Sequence, residues 1–475
     1  MKREWIRFSS VILLVFFLFA VVTGCGSKPA DTTKEGENLQ EDAPAGEETQ
    51  EEIGEEVVEE PEQKYDFGGR KIIAMAWWDQ EPVAGTSEWA DLTIEKIAQM
   101  EEKYNVDFEF LQVPWMEYLE KITSSSLAGS PVANWAWLEY QWFWPGLVSA
   151  GFLEPLDDFG IFDFNDEKWD QTALSVGMYE GKHYGFGTGR PSPRGVFFWN
   201  KTIFERDGLP NLYELYQKKQ WNWDALLEVA QKATKDLDGD GIIDQYGIGG
   251  HDIGWHLFYS NGVQDIYFEN GEWKLGLNDP RGIKALQFWQ DLMYKYNVIP
   301  PKQENFWDWQ LHLTEFKQGR IAMLFGEFWM GDSMGDMEAE YGAMMTPMGP
   351  DATEYVSKAQ SVPVCALLSG NEKQEEVAIF LNEWTEPLPN SLSPDEEWVT
   401  ATEGRVRDRE SIECLRPVID SNAIKSQLYV CINEIVPVFQ NIEGAIRDNA
   451  KTPQVAVEEY IQQAQAIIDE VLNKK

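Results

Sequence analysis

The sequence predicts an α/β protein built as two lobes, and three observations lead there. A chain of 475 residues, 43% of them hydrophobic, is too long for one ordinary domain and apolar enough to bury two substantial cores. Behind an N-terminal leader, apolar runs of strand length alternate with helical periodicity. A second set of the same kind begins near Gly195 and runs to Met348. Strands alternating with helices imply a mostly parallel sheet covered on both faces, whose ligands gather beyond the strand C-termini.

The leader comes first. Lys2, Arg3 and Arg7 flank an apolar run from Val11 to Val22, and Thr23 and Gly24 precede Cys25. This is the pattern of a signal peptide over residues 1–24, with a run too short for a stable span. The segment Val22-Thr23-Gly24-Cys25 resembles the bacterial lipobox, which implies cleavage before Cys25 and lipid on its thiol. Residues 25–64 then lose aromatics and fill with Glu, Thr, Gly and Pro, as in EGENLQEDAPAGEETQEEIGEEVVEEPEQ. Such a stretch buries too little to offset its ordering entropy, and its carboxylates repel one another. It is expected to be a disordered acidic tether.

The first lobe opens with the strand KIIAMAW, followed by a helix carrying Leu92, Ile97 and Met100 on one face. VDFEFLQV alternates as a second strand. A helix over Met116 to Leu127, the loop AGSPV, a strand from Ala133 to Leu138 and a short helix before GFLEPLDDF complete the set. In the second lobe GVFFWN, QYGIGG and RIAMLFG are the apolar strands, separated by helices such as Trp223–Thr234 and Pro280–Tyr296. A strand over Ser361–Leu368 and a helix over Lys373–Trp384 follow, and Thr452–Asn473 is a final amphipathic helix.

Composition narrows the function classes. A formal net charge of -42 repels nucleic acid at any ordinary salt, so no nucleic-acid partner is expected. There is no G-x-S-x-G, HExxH or P-loop motif, and four His leave little room for a zinc site. Cys365, Cys414 and Cys431 remain behind the leader. Cys414 and Cys431 are the only close pair, and their spacing leaves open either a disulfide between them or buried free thiols.

Several segments taken together resemble the extracellular binding proteins of ABC importers, the family that includes the maltose-binding protein. They are AGSPV, SAGFLEPLDDF, EGKHYGFG leading to VFFWNKTIFERDGLP, WNWDALLEVAQKAT, DLDGDGIIDQYG, FKQGRIAMLFGEFW and QEEVAIFLNEW, in this order across roughly residues 68 to 405. The resemblance implies a two-lobed, periplasmic-binding-protein-like fold of type II, with hinged lobes and a ligand cleft between them. The first lobe would take residues 65–192 and return over 356–405. The second would take 193–355, with the helical segment 406–475 joined to it. Crossings fall near Arg190–Arg194, Pro350–Ser361 and Gly404–Arg407. The resemblance further implies a monomeric, non-enzymatic lipoprotein at the extracellular face of the cytoplasmic membrane, anchored through Cys25, that hands its ligand to the transmembrane subunits of the importer.

Tryptophan points to the ligand. There are 21 Trp, and those that follow strands matter most. Trp77, Trp78 and Asp79 follow the first strand, and Trp137, Glu139, Tyr140 and Trp142 close the third. Trp255 and His256 follow IGGHDI, and Glu327 and Trp329 end RIAMLF. Sugars offer C–H faces and a rim of hydroxyls, so flat aromatics edged with carboxylates and guanidinium groups suit them. Arg190 or Arg194, at the crossing, can donate to sugar oxygens. Trp329 occupies the motif position that stacks on a sugar ring in the maltose-binding relative. His256 is expected to be a satisfied interior histidine, and Trp199, Trp221, Trp223, Trp289 and Trp384 core residues. A peptide or amino-acid receptor of the same plan, or an anchored glycoside hydrolase, are the rival readings.

One further motif is acidic. Asp236, Asp238, Asp240 and Asp244, with the carbonyl of Ile242, follow the spacing of the first nine positions of an EF-hand loop, and Gly241 permits its sharp turn. Gly247 stands where the bidentate Glu would be. A structural Ca2+ is expected there, and no organic cofactor.

Overall fold

The strand Arg70–Ala76 forms in a five-stranded sheet ordered Val106–Gln112, Arg70–Ala76, Trp135–Leu138, Val364–Leu367 and Gly185–Phe186. The computed structural model describes residues 65–300, 308–359, 362–388, 392–419 and 423–473. The signal peptide, Cys25 and the tether expected over 25–64 lie outside the described residues. Helix Glu88–Tyr104 starts where Ser87 accepts from the Ala90 N–H at 3.1 Å, an N-cap that satisfies one otherwise unpaired donor. With helix Gln374–Trp384 it covers one face of the sheet, burying Met100, Tyr104, Phe380 and Leu381 against Ile72 and Trp135. Helix Trp115–Leu127 covers the other face, where Tyr118 and Ile122 are wholly buried.

A second, four-stranded sheet is ordered Tyr341–Met344, Gly195–Asn200, Ile321–Glu327 and Tyr246–Gly250. All six residues of Gly195–Asn200 are buried, as a strand covered on both faces requires. Helices Pro280–Tyr294, Val436–Arg447 and Pro453–Val471 pack on one another beside this sheet. The molecule is thus a mixed α/β, two-lobed fold with open sheets.

The sheets are less parallel than expected. The first three strands pair in parallel, but Val364–Leu367 runs antiparallel to Trp135–Leu138, and Gly195–Asn200 antiparallel to both of its neighbours. The reason lies in how these two strands are entered. Each follows a crossing segment instead of a covering helix, so it starts at the edge where the parallel strands end and runs back across the sheet.

One other expectation is corrected and one open alternative is decided. Residues 394–403, grouped by sequence with the first lobe, form a helix whose Trp398 shares a buried cluster with Val196, Phe328 and Ile412 of the second. Its indole N–H also donates to the Pro191 carbonyl at 3.0 Å. Cys365, Cys414 and Cys431 are all buried free thiols, so the pair left open above is not a disulfide.

Candidate ligand-binding site

Strand ends bring the aromatic residues together. Trp77 follows Arg70–Ala76 and forms the hub of a cluster, edge-on to Trp78 (4.6 Å between ring centroids), Trp115 (5.3 Å), Tyr118 (5.6 Å) and Trp142 (5.4 Å). Edge-to-face contact is the arrangement that ring quadrupoles favour. Trp115 and Trp142 lie 4.3 Å apart, and Trp78 tilts against Trp137 at 5.8 Å. Trp78 is 39% exposed and Trp115 41%. Indoles that large, held by neighbours yet open to solvent, form a prepared apolar wall. Trp115 was missed in the sequence, although it follows the second strand and the strand-end rule applies to it equally.

Beside this wall lies a cavity of about 700 Å³, lined by Trp78, Asp79, Trp89, Trp137, Thr188 and Glu397 among others. The Asp79 carboxylate accepts from the Glu81 N–H at 3.0 Å. Glu397 belongs to the helix packed on the second lobe, so both lobes contribute to the lining. Burial pushes the Glu397 carboxyl above its ordinary range. Trp384 lines the cavity too, whereas Trp199, Trp221, Trp223 and Trp289 are core as expected. Nothing near Trp89 or Glu397 in the sequence marks them, because neither follows a strand.

At the crossing the two cations differ. The Arg190 Nε donates to Asp395 at 2.9 Å, so its charge is committed. Arg194 is half-buried; burial lowers its pKa while Glu139, Glu327 and Asp170 pull it back. Ser357 stitches two crossing segments, accepting from the Arg194 N–H at 3.1 Å and donating to the Gly195 carbonyl at 2.9 Å. Gly195 is required there, since a Cβ would fall 2.6 Å from the Lys358 carbonyl oxygen.

Other expected residues are interior. Tyr140 is buried and stacks on Trp144. Trp255 is buried among Phe258, Tyr429 and Phe439, its N–H 3.3 Å from Glu443. Glu327 is buried 3.2 Å from the Lys358 ammonium, which also meets Asp252 at 2.8 Å. Burial pushes the Glu327 carboxyl up and Lys358 opposes it. Of the predicted ligand residues, Trp78, Asp79 and Trp137 line the cavity, whereas Trp77, Glu139, Tyr140, Arg190, Arg194, Trp255, Glu327 and Trp329 do not. His256 is interior as well, but among the described residues neither ring nitrogen has a hydrogen-bond partner, and burial holds it neutral. Trp329 is 40% exposed on the second lobe, edge-on to Trp309 at 4.6 Å.

In the acidic loop, oxygens of Asp236, Asp238 and Asp244 lie within 4.8 Å of one another. The Asp236 carboxylate accepts from the Gly239 and Gly241 N–H groups, which lowers its pKa. Gly241 holds φ +92, a left-handed conformation glycine tolerates. Asp240 turns to the Ile242 N–H at 2.7 Å, outside the convergent group. Among the described residues, no helix is long and apolar enough to cross a membrane.

The family model described as bacterial extracellular solute-binding protein matches residues 86–387, more than half of the chain. Among solved structures, the fold is similar to a cyclic alpha-maltosyl-1,6-maltose binding protein from Arthrobacter globiformis (TM-score 0.61, 19% identity, 85% of this chain and 100% of that one). It is similar also to the GacH receptor of Streptomyces glaucescens (0.60, 15%, 85% and 99%) and to an ABC substrate-binding protein from Listeria monocytogenes (0.59, 17%, 86% and 100%).

Proposed function

Because the chain belongs to the bacterial extracellular solute-binding family, we propose that it captures an extracellular oligosaccharide between its lobes and delivers it to the transmembrane subunits of an ABC importer. One observation carries this reading: Trp78, edge-on to Trp77 and tilted against Trp137, stands half-exposed at a cavity of about 700 Å³ with carboxylates on its walls. Indole faces match the C–H faces of sugar rings, and carboxylates accept from hydroxyls. The Listeria, Streptomyces and Arthrobacter proteins are described with cycloalternan, acarbose and cyclic alpha-maltosyl-1,6-maltose, which supports a carbohydrate here. Lipid on Cys25 would hold a monomer at the extracellular face of the cytoplasmic membrane, and a Ca2+ in the acidic loop would serve structure alone.

Capture needs no covalent chemistry. A ligand touching both lobes favours the closed arrangement by its differential affinity for it. The test is a titration of the purified protein with malto-oligosaccharides and with a peptide library, read by intrinsic Trp fluorescence and melting temperature. The expected result is saturable, stoichiometric sugar binding without turnover. A response to peptides alone, or sugar hydrolysis, would reject the reading.

A further inference from the structure

The charge lining the cavity bears on which carbohydrates it accepts. Among the described residues, four carboxylates line it, Asp79, Glu81, Glu386 and Glu397, against two cations, Lys96 and Lys168. Both lysines are committed. Lys168 is buried and ion-paired with Glu386. Lys96 donates to the carbonyl oxygens of Trp384 at 2.9 Å and Glu386 at 2.6 Å. None of Asp79, Glu81 and Glu397 has a cationic partner among the described residues, and Asp79 is engaged only by the Glu81 N–H. Arg190, which pairs with Asp395 at 2.9 Å, and Arg416, which pairs with the same Asp395 at 3.1 Å, lie outside the lining. Arg194 does not line the cavity either.

We infer that the cavity discriminates by charge, admitting uncharged carbohydrate and rejecting sugars that carry ionised uronate, sulfate or phosphate groups. The inference rests on the carbohydrate reading above and narrows it. A hydroxyl donates to these carboxylates, whereas an anionic substituent meets a lining of four carboxylates against two lysines, both already hydrogen-bonded within the protein. The net charge of -42 adds a long-range barrier to the same ligands.

The experiment compares, by titration calorimetry, neutral oligosaccharides with counterparts oxidised to a uronate at C6 of one ring and with the matching uronamides. The uronamide has the shape of the uronate without its charge. At low salt the uronate is expected to bind at least tenfold more weakly than the uronamide, and the gap to shrink in about 0.5 M salt as the charges are screened. The triple variant D79N/E81Q/E397Q is expected to narrow the ratio at least threefold. Equal or tighter binding of the uronate overturns the charge rule while leaving the carbohydrate reading standing. Binding by no member of the panel overturns both.

Discussion

Single residues here divide by whether their partners lie inside the protein or are left for a ligand. Trp78 is held between Trp77 and Trp137 yet is 39% exposed. Trp78→Ala is expected to weaken sugar binding by about 1 kcal/mol, roughly fivefold, the scale of one lost aromatic contact, and calorimetry checks it. Asp265 is the opposite case. It is fully buried, and burial raises its pKa to about 6 although the Tyr429 N–H donates to it at 2.7 Å. The folded state therefore binds this proton more tightly than the unfolded chain, whose Asp titrates near 3.9. The stabilisation is fully present below pH ~4 and is lost as pH rises through about 6. Two pKa units correspond to about 3 kcal/mol. Denaturant melts at pH 4 and 7 should show wild type losing about that much more than Asp265→Asn, whose amide does not titrate.

At the scale of elements, strand ends were legible, but which of them are covered by distant segments was not. Trp78 and Trp137 line the cavity because a strand in an α/β sheet delivers its last residues to one edge. The same rule selected Trp255 and Glu327, which the structure buries. Trp255 fails the rule because Tyr429 and Phe439, from segments almost two hundred residues on, cover it. Glu327 fails it because Lys358 arrives from the returning crossing. The acidic loop is a local element, and its spacing already brings three of the four aspartates together. The proposed calcium is tested by thermal melting with and without chelator. Calcium is expected to raise the melting temperature of the wild type and to have no effect on Asp236→Asn/Asp238→Asn.

For the whole molecule, the proposed capture between lobes makes closure and ligand occupancy one equilibrium, so two readouts should move together. Saturating sugar at about a hundred times its dissociation constant adds ~2.7 kcal/mol to stability by mass action. Small-angle scattering should show a smaller radius of gyration in the same sample. A melting temperature that rises without compaction would mean that the ligand is held by one lobe alone.

The amino-acid sequence by itself determined the fold class, the alternation of strands and helices in both lobes, the position of the aromatic strand ends and the acidic loop. All of these follow from periodicity and spacing over a few neighbouring residues. Only the tertiary structure decided that Gly195–Asn200 and Val364–Leu367 run against their neighbours, that helix 394–403 rests on the second lobe, and that Glu397 joins Trp78 and Asp79 in one cavity. It also decided that Arg190 is committed to Asp395. Each of these depends on which distant segments meet across a crossing, and the free energy of such contacts resides in pairs that local pattern does not encode.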